Sequence, residues 1–231
     1  NGRGRAPATA TDYANMIWAA LRLHQATGEA GDLAAAVRWT EILDAHYWAP
    51  DAGGYFTAAD DTRDVIVRLR SAADDATPSA NATMVSNLTA LATLTGETRY
   101  AERAETLLRS FAGDVARNLA GHTGLLAAAI DVLSPQLVAI VADAPAEGAA
   151  LKHALHRLSA PGAIEVFASG PVDANGPPAL AGKTAVNGGA AAYACIGPEC
   201  SLPVTTPEAL QQLVRERRAV DLDKKNLPST S

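Results

Sequence analysis

The 231-residue chain is 48% apolar and 19% charged, which supplies a sizeable core and excludes a wholly disordered polymer. Its uncharged stretches are too short to span a bilayer, so no membrane partner is expected. Nineteen basic against 25 acidic residues give a net charge of −6, which disfavours nucleic acid as a partner. The chain holds 51 Ala, and 15 Arg against 4 Lys, a bias that points to a GC-rich, bacterial genome.

Two cysteines, Cys195 and Cys200, are too few for a disulfide-built scaffold. The sequence starts at Asn1 without an initiator Met or signal peptide and reads as a cytoplasmic fragment or processed piece. Residues 1–10 and 220–231 lack apolar periodicity and are expected to be disordered. Two domains are expected between them, a helical-hairpin part over 11–135 and a small α/β module over 136–219.

In chain order, the first signal is an internal repeat. Shifting the sequence by 68 places residues 13–36 on 81–104 with seven identities in 24 positions, including the triplets Thr27-Gly28-Glu29 and Thr95-Gly96-Glu97. Each triplet separates two helical patterns, with Gly as the natural stop. The first helix of each hairpin is nearly uncharged: 81–94 has no charged side chain and 13–26 only Arg22 and His24. Such helices are buried on most sides. Their partners, 32–48 and 98–117, carry charges along one face, as in Arg38, Glu41 and Asp44 or Arg103, Glu105 and Arg109. A third helix of the uncharged type, 119–133, carries only Asp131. The order inner, outer, inner, outer, inner suits a two-layered ring of hairpins, and also an ordinary bundle or solenoid.

Between hairpins lies a long connection, 49–80, with Gly53-Gly54-Tyr55-Phe56 and the β-rich run Val65–Arg70. That pattern predicts a short β-hairpin, and a loop this long is usually functional. After Pro135, the runs 137–141 and 163–168 predict strands around a helix near 147–158. Further strands are predicted at 183–187 and 190–195. A final helix is predicted over 206–218, with Thr206 as cap and Pro207 in the first turn. Gly182-Lys183-Thr184 imitates the end of a phosphate loop, but Pro177 stands where the first Gly belongs, so nucleotide binding is rejected.

Gly53-Gly54-Tyr55-Phe56, the string Arg68…Arg70…Asp74…Pro78-Ser79-Ala80-Asn81, the Thr-Gly-Glu turns and the segment Gly182-Lys183…Tyr193-Ala194-Cys195…Cys200 resemble the C-terminal part of thioredoxin-domain-containing proteins of the spermatogenesis-associated type. The resemblance runs over roughly 11–215 in the same order. It implies an N-terminal thioredoxin-like domain followed by an (α/α)6 toroid similar to N-acylglucosamine 2-epimerases and six-hairpin glycosidases. The chain would then be mainly α, a partial (α/α)6 toroid followed by the α/β module. The partner implied is an N-terminal half carrying the thioredoxin-like domain; no cofactor is implied.

In a toroid the starts of inner helices and the loops before them meet at one mouth. Asp12, Tyr13, Tyr55, Arg68, Arg70, Asp74, Asp75, Ser79 and Asn81 are expected to gather there. Carboxylates of Asp74 or Asp75 would act as general acid or base, and Arg68 and Arg70 would orient a sugar-like substrate. The structural alternative makes Asp12 and Ser79 helix caps and pairs Arg68 with Asp74. A second functional reading is a non-catalytic scaffold that partners a thioredoxin-like domain in redox or quality control. His24, His46 and His122 are scattered, and a capping or solvent-facing role is the expectation for His122. Cys195 and Cys200 form a structural or redox-sensitive pair. A zinc site would need two further ligands, for which His153 and His156 are available on one helix face, and none is assigned.

Overall fold

A computed structural model describes residues 7–63, 65–158, 160, 162–172 and 177–224, with side chains described to Arg217. The described residues form two compact units. The first reaches Leu133; the second runs from Ser134 and also takes in Thr93–Gly96. Together they are mainly α, with one small mixed sheet in the second unit.

The first unit is built from α1 (Ala10–Thr27), α2 (Ala30–His46), α3 (Ala80–Thr95), α4 (Thr98–Arg117) and α5 (Thr123–Leu133). Helix α1 starts three residues before the expected boundary. The Thr9 side chain accepts from the Asp12 N–H, and the Asp12 carboxylate accepts from the Thr9 N–H at 2.8 Å, so two otherwise orphaned donors are satisfied reciprocally. Both repeated turns behave alike. Gly28 and Gly96 have φ of +79° and +74°, a left-handed conformation that glycine adopts without a Cβ penalty. The inner helix α3 buries Ala82, Met84, Val85, Leu88, Leu91 and Leu94, as its uncharged sequence predicts. Helix α4 instead buries one stripe, Tyr100, Ala104, Leu107 and Phe111, and leaves most of its charges exposed. The third inner segment is split: residues 120–122 make a tight 3-10 turn and only then does α5 begin.

The connection between α2 and α3 contains no β-hairpin among its described residues. Trp48 and Tyr55 form a single bridge, and Leu69 contributes only its carbonyl, which accepts the Thr57 N–H at 2.7 Å. Val65, Ile66 and Val67 are exposed, so their β propensity has no partner strand to pack on.

The second unit comprises β1 (Gln136–Ala142), α6 (Ala149–His156), β2 (Ile164–Ser169), β3 (Ala190–Ile196), β4 (Glu199–Cys200) and α7 (Pro207–Lys224). The sheet order is β2-β1-β3-β4. Strands β1 and β2 are parallel across the α6 crossover, and β3 returns antiparallel on the other side of β1. Val138, Ile140, Ala192 and Ala194 on one face pack on Leu151, Leu155, Leu210 and Val214 of α6 and α7. Burying each such Leu is worth about 1.5–3 kcal/mol. Thr206 caps α7 as expected, its hydroxyl accepting the Ala209 N–H, but the helix continues past 218 into the segment expected to be disordered.

The strand predicted at 183–187 does not form. Tyr193 supplies the reason: its hydroxyl accepts the Thr184 N–H at 3.2 Å and donates to the Thr184 carbonyl at 2.8 Å. Both ladder groups of Thr184 are therefore occupied by one side chain. No described helix is long and apolar enough to cross a membrane.

Candidate functional site

Asp74 occupies the centre of the loop that precedes α3. One carboxylate oxygen accepts the Ser79 N–H at 3.1 Å; the other accepts the Gly124 N–H at 2.6 Å and the Thr123 hydroxyl at 3.1 Å. Its own N–H donates to the Gly121 carbonyl at 2.7 Å. One side chain thus ties together the starts of two inner helices, α3 and α5, where a negative charge is favoured by the helix dipoles. Burial opposes ionisation, but the Gly124 and Ser79 amides and the Thr123 hydroxyl outweigh it and hold the carboxyl below its usual range. Asp75 is exposed.

Ser79 is the N-cap of α3: its hydroxyl accepts the Ala82 N–H at 3.2 Å and donates to the Ala72 carbonyl at 3.0 Å. Asn81, 2% exposed, reads the loop. Its Oδ1 accepts the Tyr55 N–H at 2.7 Å, and its Nδ2 donates to the Tyr55 carbonyl at 3.0 Å and the Ser71 carbonyl at 2.8 Å. The amide therefore replaces a neighbouring strand for Tyr55. The Tyr55 ring is buried and its hydroxyl donates to Asp44 at 2.7 Å. Burial, reinforced by the Asp44 charge, pushes that phenol well above its ordinary pKa.

The arginines also hold main chain. Arg68 stacks over Phe56 at 4.1 Å and donates to the His46 carbonyl at 3.1 Å. Arg70 stacks over Phe111 at 4.5 Å and donates to the Gly53 carbonyl at 2.9 Å. The Arg68–Asp74 ion pair of the structural alternative does not form, because each side chain is committed to a different part of the loop. Asp12 lies inside α1 rather than ahead of it. Hydrogen bonds from the Thr9 main chain and hydroxyl keep its carboxyl below the usual value. Tyr13 meets Tyr47 edge-on at 5.7 Å. Asp74, Ser79, Asn81, Tyr55 and Arg70 thus belong to one connected frame, whereas Asp12 and Tyr13 sit with Thr9 and Tyr47.

A second group of polar residues spans the same three inner helices. The Ser86 hydroxyl of α3 donates to Asp131 of α5 at 2.8 Å. Burial raises the Asp131 pKa, opposed by the Ser86 bond and by the positive charge of Arg22 on α1. Arg22 lies over the Trp18 ring at 5.9 Å, and Trp18 is 48% exposed. The exposed Arg22 guanidinium makes no ion pair among the described residues. The sequence carried a signal for this group: Asp131 is the lone charge on α5, and Arg22 is the lone arginine on α1, whose acid, Asp12, lies in its first turn. The cue was weak, because a single charge on an apolar helix is more often a solvated end.

The remaining sequence-selected groups are elsewhere. His122 is buried and its Nδ1 is 2.7 Å from the Asn118 carbonyl, a capping contact rather than a solvent-facing one. His46 pairs with Asp60 at 3.0 Å. In the second unit Cys195 and Cys200 are cross-strand neighbours joined by a disulfide, so neither offers a thiolate to a metal. Among the described residues no group of three or more His, Cys, Asp or Glu side chains is placed to hold a metal ion.

No protein-family model matches the chain. Among curated proteins it is 29% identical over 213 residues to mouse spermatogenesis-associated protein 20, covering 89% of this chain and 27% of that protein. The human protein of the same name is 28% identical over 209 residues, covering 88% and 27%. An uncharacterized protein of Caenorhabditis elegans is 33% identical over 98 residues, or 42% of this chain. These relatives are animal proteins and lend no support to the bacterial reading of the composition. The chain is therefore similar, over nearly all its length, to about a quarter of spermatogenesis-associated protein 20.

Proposed function

We propose that the helical unit is part of an (α/α) toroid in a larger protein and binds a sugar-like ligand on the face shared by α1, α3 and α5. One observation carries the reading: Trp18 is exposed beside the unpaired Arg22 guanidinium, whose charge reaches the half-buried Asp131 carboxyl. An exposed indole offers a flat apolar surface for the C–H face of a sugar ring, and Arg22, Asp131 and Ser86 supply donors and acceptors for hydroxyls. Asp131 is the acid whose environment favours the protonated form, which suits a proton donor in epimerase- or glycosidase-type chemistry. Asp74, already holding three donors, serves as frame for that face, and Asp75 is the solvent-facing carboxylate of the mouth.

Thermal shift against a panel of mono- and disaccharides tests the reading. A sugar-dependent rise in Tm that is lost in Trp18→Ala and Asp131→Asn, but kept in Asp75→Asn, supports a ligand on the inner-helix face. Loss in Asp75→Asn alone moves the site to the loop mouth.

The scaffold reading keeps one observation in its favour: most of the loop residues chosen for chemistry are spent on holding the loop. No response to any sugar, together with redox activity that depends on an added thioredoxin-like partner, would favour it.

A further inference from the structure

The Cys195–Cys200 disulfide joins residues that face each other in the β3–β4 register, with a sequence separation of 5. Between them the chain turns through Gly197-Pro198, with Ile196 opposite Glu199 and Gly197 at φ +54°. A crosslink that closes so short a loop removes little freedom from the unfolded chain. The main chain already holds this edge on both sides of the sulfurs. The Ser201 N–H donates to the Ala194 carbonyl at 2.9 Å, and Ala192 and Val204 exchange two bonds at 2.8 and 2.9 Å. At the turn, the Gly197 N–H donates to the Pro135 carbonyl at 3.0 Å, and Arg217 donates to the Glu199 carbonyl at 2.9 Å. The edge therefore stays paired by bonds that do not involve the disulfide.

The two cysteines have unlike surroundings. Cys195 is 3% exposed on the internal strand β3, opposite Leu137 of β1. Cys200 is exposed on the two-residue edge strand β4. Access decides which sulfur of a disulfide a thiolate attacks, and here it favours Cys200. Once reduced, Cys195 fits where it stands, because a buried thiol packs as a small apolar side chain.

We propose that Cys195–Cys200 is a thiol–disulfide exchange site, entered through Cys200, that takes electrons from dithiols in preference to monothiols. A thiolate of the reductant bonds to the Cys200 sulfur as a mixed disulfide. The Cys195–Cys200 bond breaks, and Cys195 leaves with the electron pair and takes up a proton. The paired edge keeps that thiol beside the mixed disulfide, at a high effective concentration. Its return attack expels a monothiol and restores the original bond. A dithiol escapes this return: its second thiolate attacks its own sulfur of the mixed disulfide, closes the reagent's disulfide and releases Cys200, which takes up a proton. Two electrons pass to the protein, and the dithiol is oxidised.

The test treats the full oxidised chain with dithiothreitol or glutathione at equal thiol concentration, folded and in urea. Aliquots are quenched with N-ethylmaleimide and read by mass spectrometry, with circular dichroism in parallel. Dithiothreitol is expected to reduce the folded chain without changing its circular dichroism. Its rate advantage over glutathione is expected to be about tenfold larger folded than in urea, where nothing holds Cys195 beside the mixed disulfide. An equal advantage in both states, no reduction until urea is added, or reduction that unfolds the chain would each overturn the proposal. This comparison needs no variant to fold. Oxidised glutathione then locates the entry: Cys200 in Cys195→Ala is expected to form its adduct about tenfold faster than Cys195 in Cys200→Ala. Equal rates would overturn entry through Cys200.

Discussion

The carboxylate of Asp74 accepts the main-chain N–H of Gly124 at 2.6 Å across 50 positions of sequence. That bond, with the one to Ser79, makes a single acidic side chain the common cap of two inner helices. Asp74→Asn keeps the shape and removes the charge, and is expected to cost about 1–2 kcal/mol, the scale of a lost helix cap. Because the folded carboxyl titrates below the unfolded value, its contribution is complete above the ordinary Asp pKa of about 3.9 and fades as pH falls through the lower, folded value. Urea denaturation at neutral pH and again in acid should show the wild-type advantage shrinking. An advantage that grew in acid would contradict the assignment.

Asn81 is a different kind of anchor, since its amide serves three main-chain groups at once. Asn81→Ala leaves the buried Tyr55 N–H and carbonyl without their side-chain partner and is expected to cost about 2–4 kcal/mol, more than one hydrogen bond, because desolvated groups are orphaned. Asn81→Asp keeps the acceptor for the Tyr55 N–H but loses both donors, so it should fall close to the Ala variant. Chemical denaturation of both variants distinguishes this from a simple volume effect.

Gly54 stands at φ +77°, and a Cβ there would approach Phe111 to 2.7 Å and Asn81 Oδ1 to 3.2 Å. Gly54→Ala therefore combines backbone strain with a collision against the core of α4, and a loss of about 2–3 kcal/mol is expected. Gly28 has a similar φ but open space around it, so Gly28→Ala should cost less. Comparing the two Tm values separates strain from collision.

Asp131 carries the opposite pH signature to Asp74. Its folded pKa is raised by burial, so its contribution is present below the unfolded value and lost as pH rises through the folded one. As pH rises through the folded pKa the carboxylate becomes a burden, so Asp131→Asn, which still accepts from Ser86, should raise Tm more in alkali than near pH 3. The same substitution should abolish any sugar response, separating stability from binding in one variant.

Much of this architecture was legible because it rests on local rules. The Thr-Gly-Glu triplets announced two left-handed helix stops, and the charge contrast between 81–94 and 98–117 separated buried from one-sided helices. The failures have a common origin in contacts distant in sequence. Nothing near Thr184 indicates that Tyr193 will take both its ladder groups, and nothing near Asp74 points to Gly124. Asp12 was expected at the mouth, with a helix cap as the alternative, because the helix pattern begins at 13; the Thr9 cap starts α1 three residues earlier and takes Asp12 into its first turn. For the site, residue types suited to sugar chemistry proved equally suited to holding a loop. The Trp18, Arg22, Ser86 and Asp131 group went unread because its members come from three separate helices.

The bond from the Thr57 N–H to the Leu69 carbonyl closes the neck of an excursion in the first connection, and Arg68 reinforces that neck from the His46 and Ala58 carbonyls. Every anchor that holds Asn81, Tyr55 and Asp74 lies outside it. The excursion is thus a cassette: residues at its tip, around the exposed Ile66, can be added or removed while the frame keeps its register. Relatives of this chain should differ in length there before they differ at the neck, and a tag or a protease site placed at the tip should be borne by a fully folded helical unit.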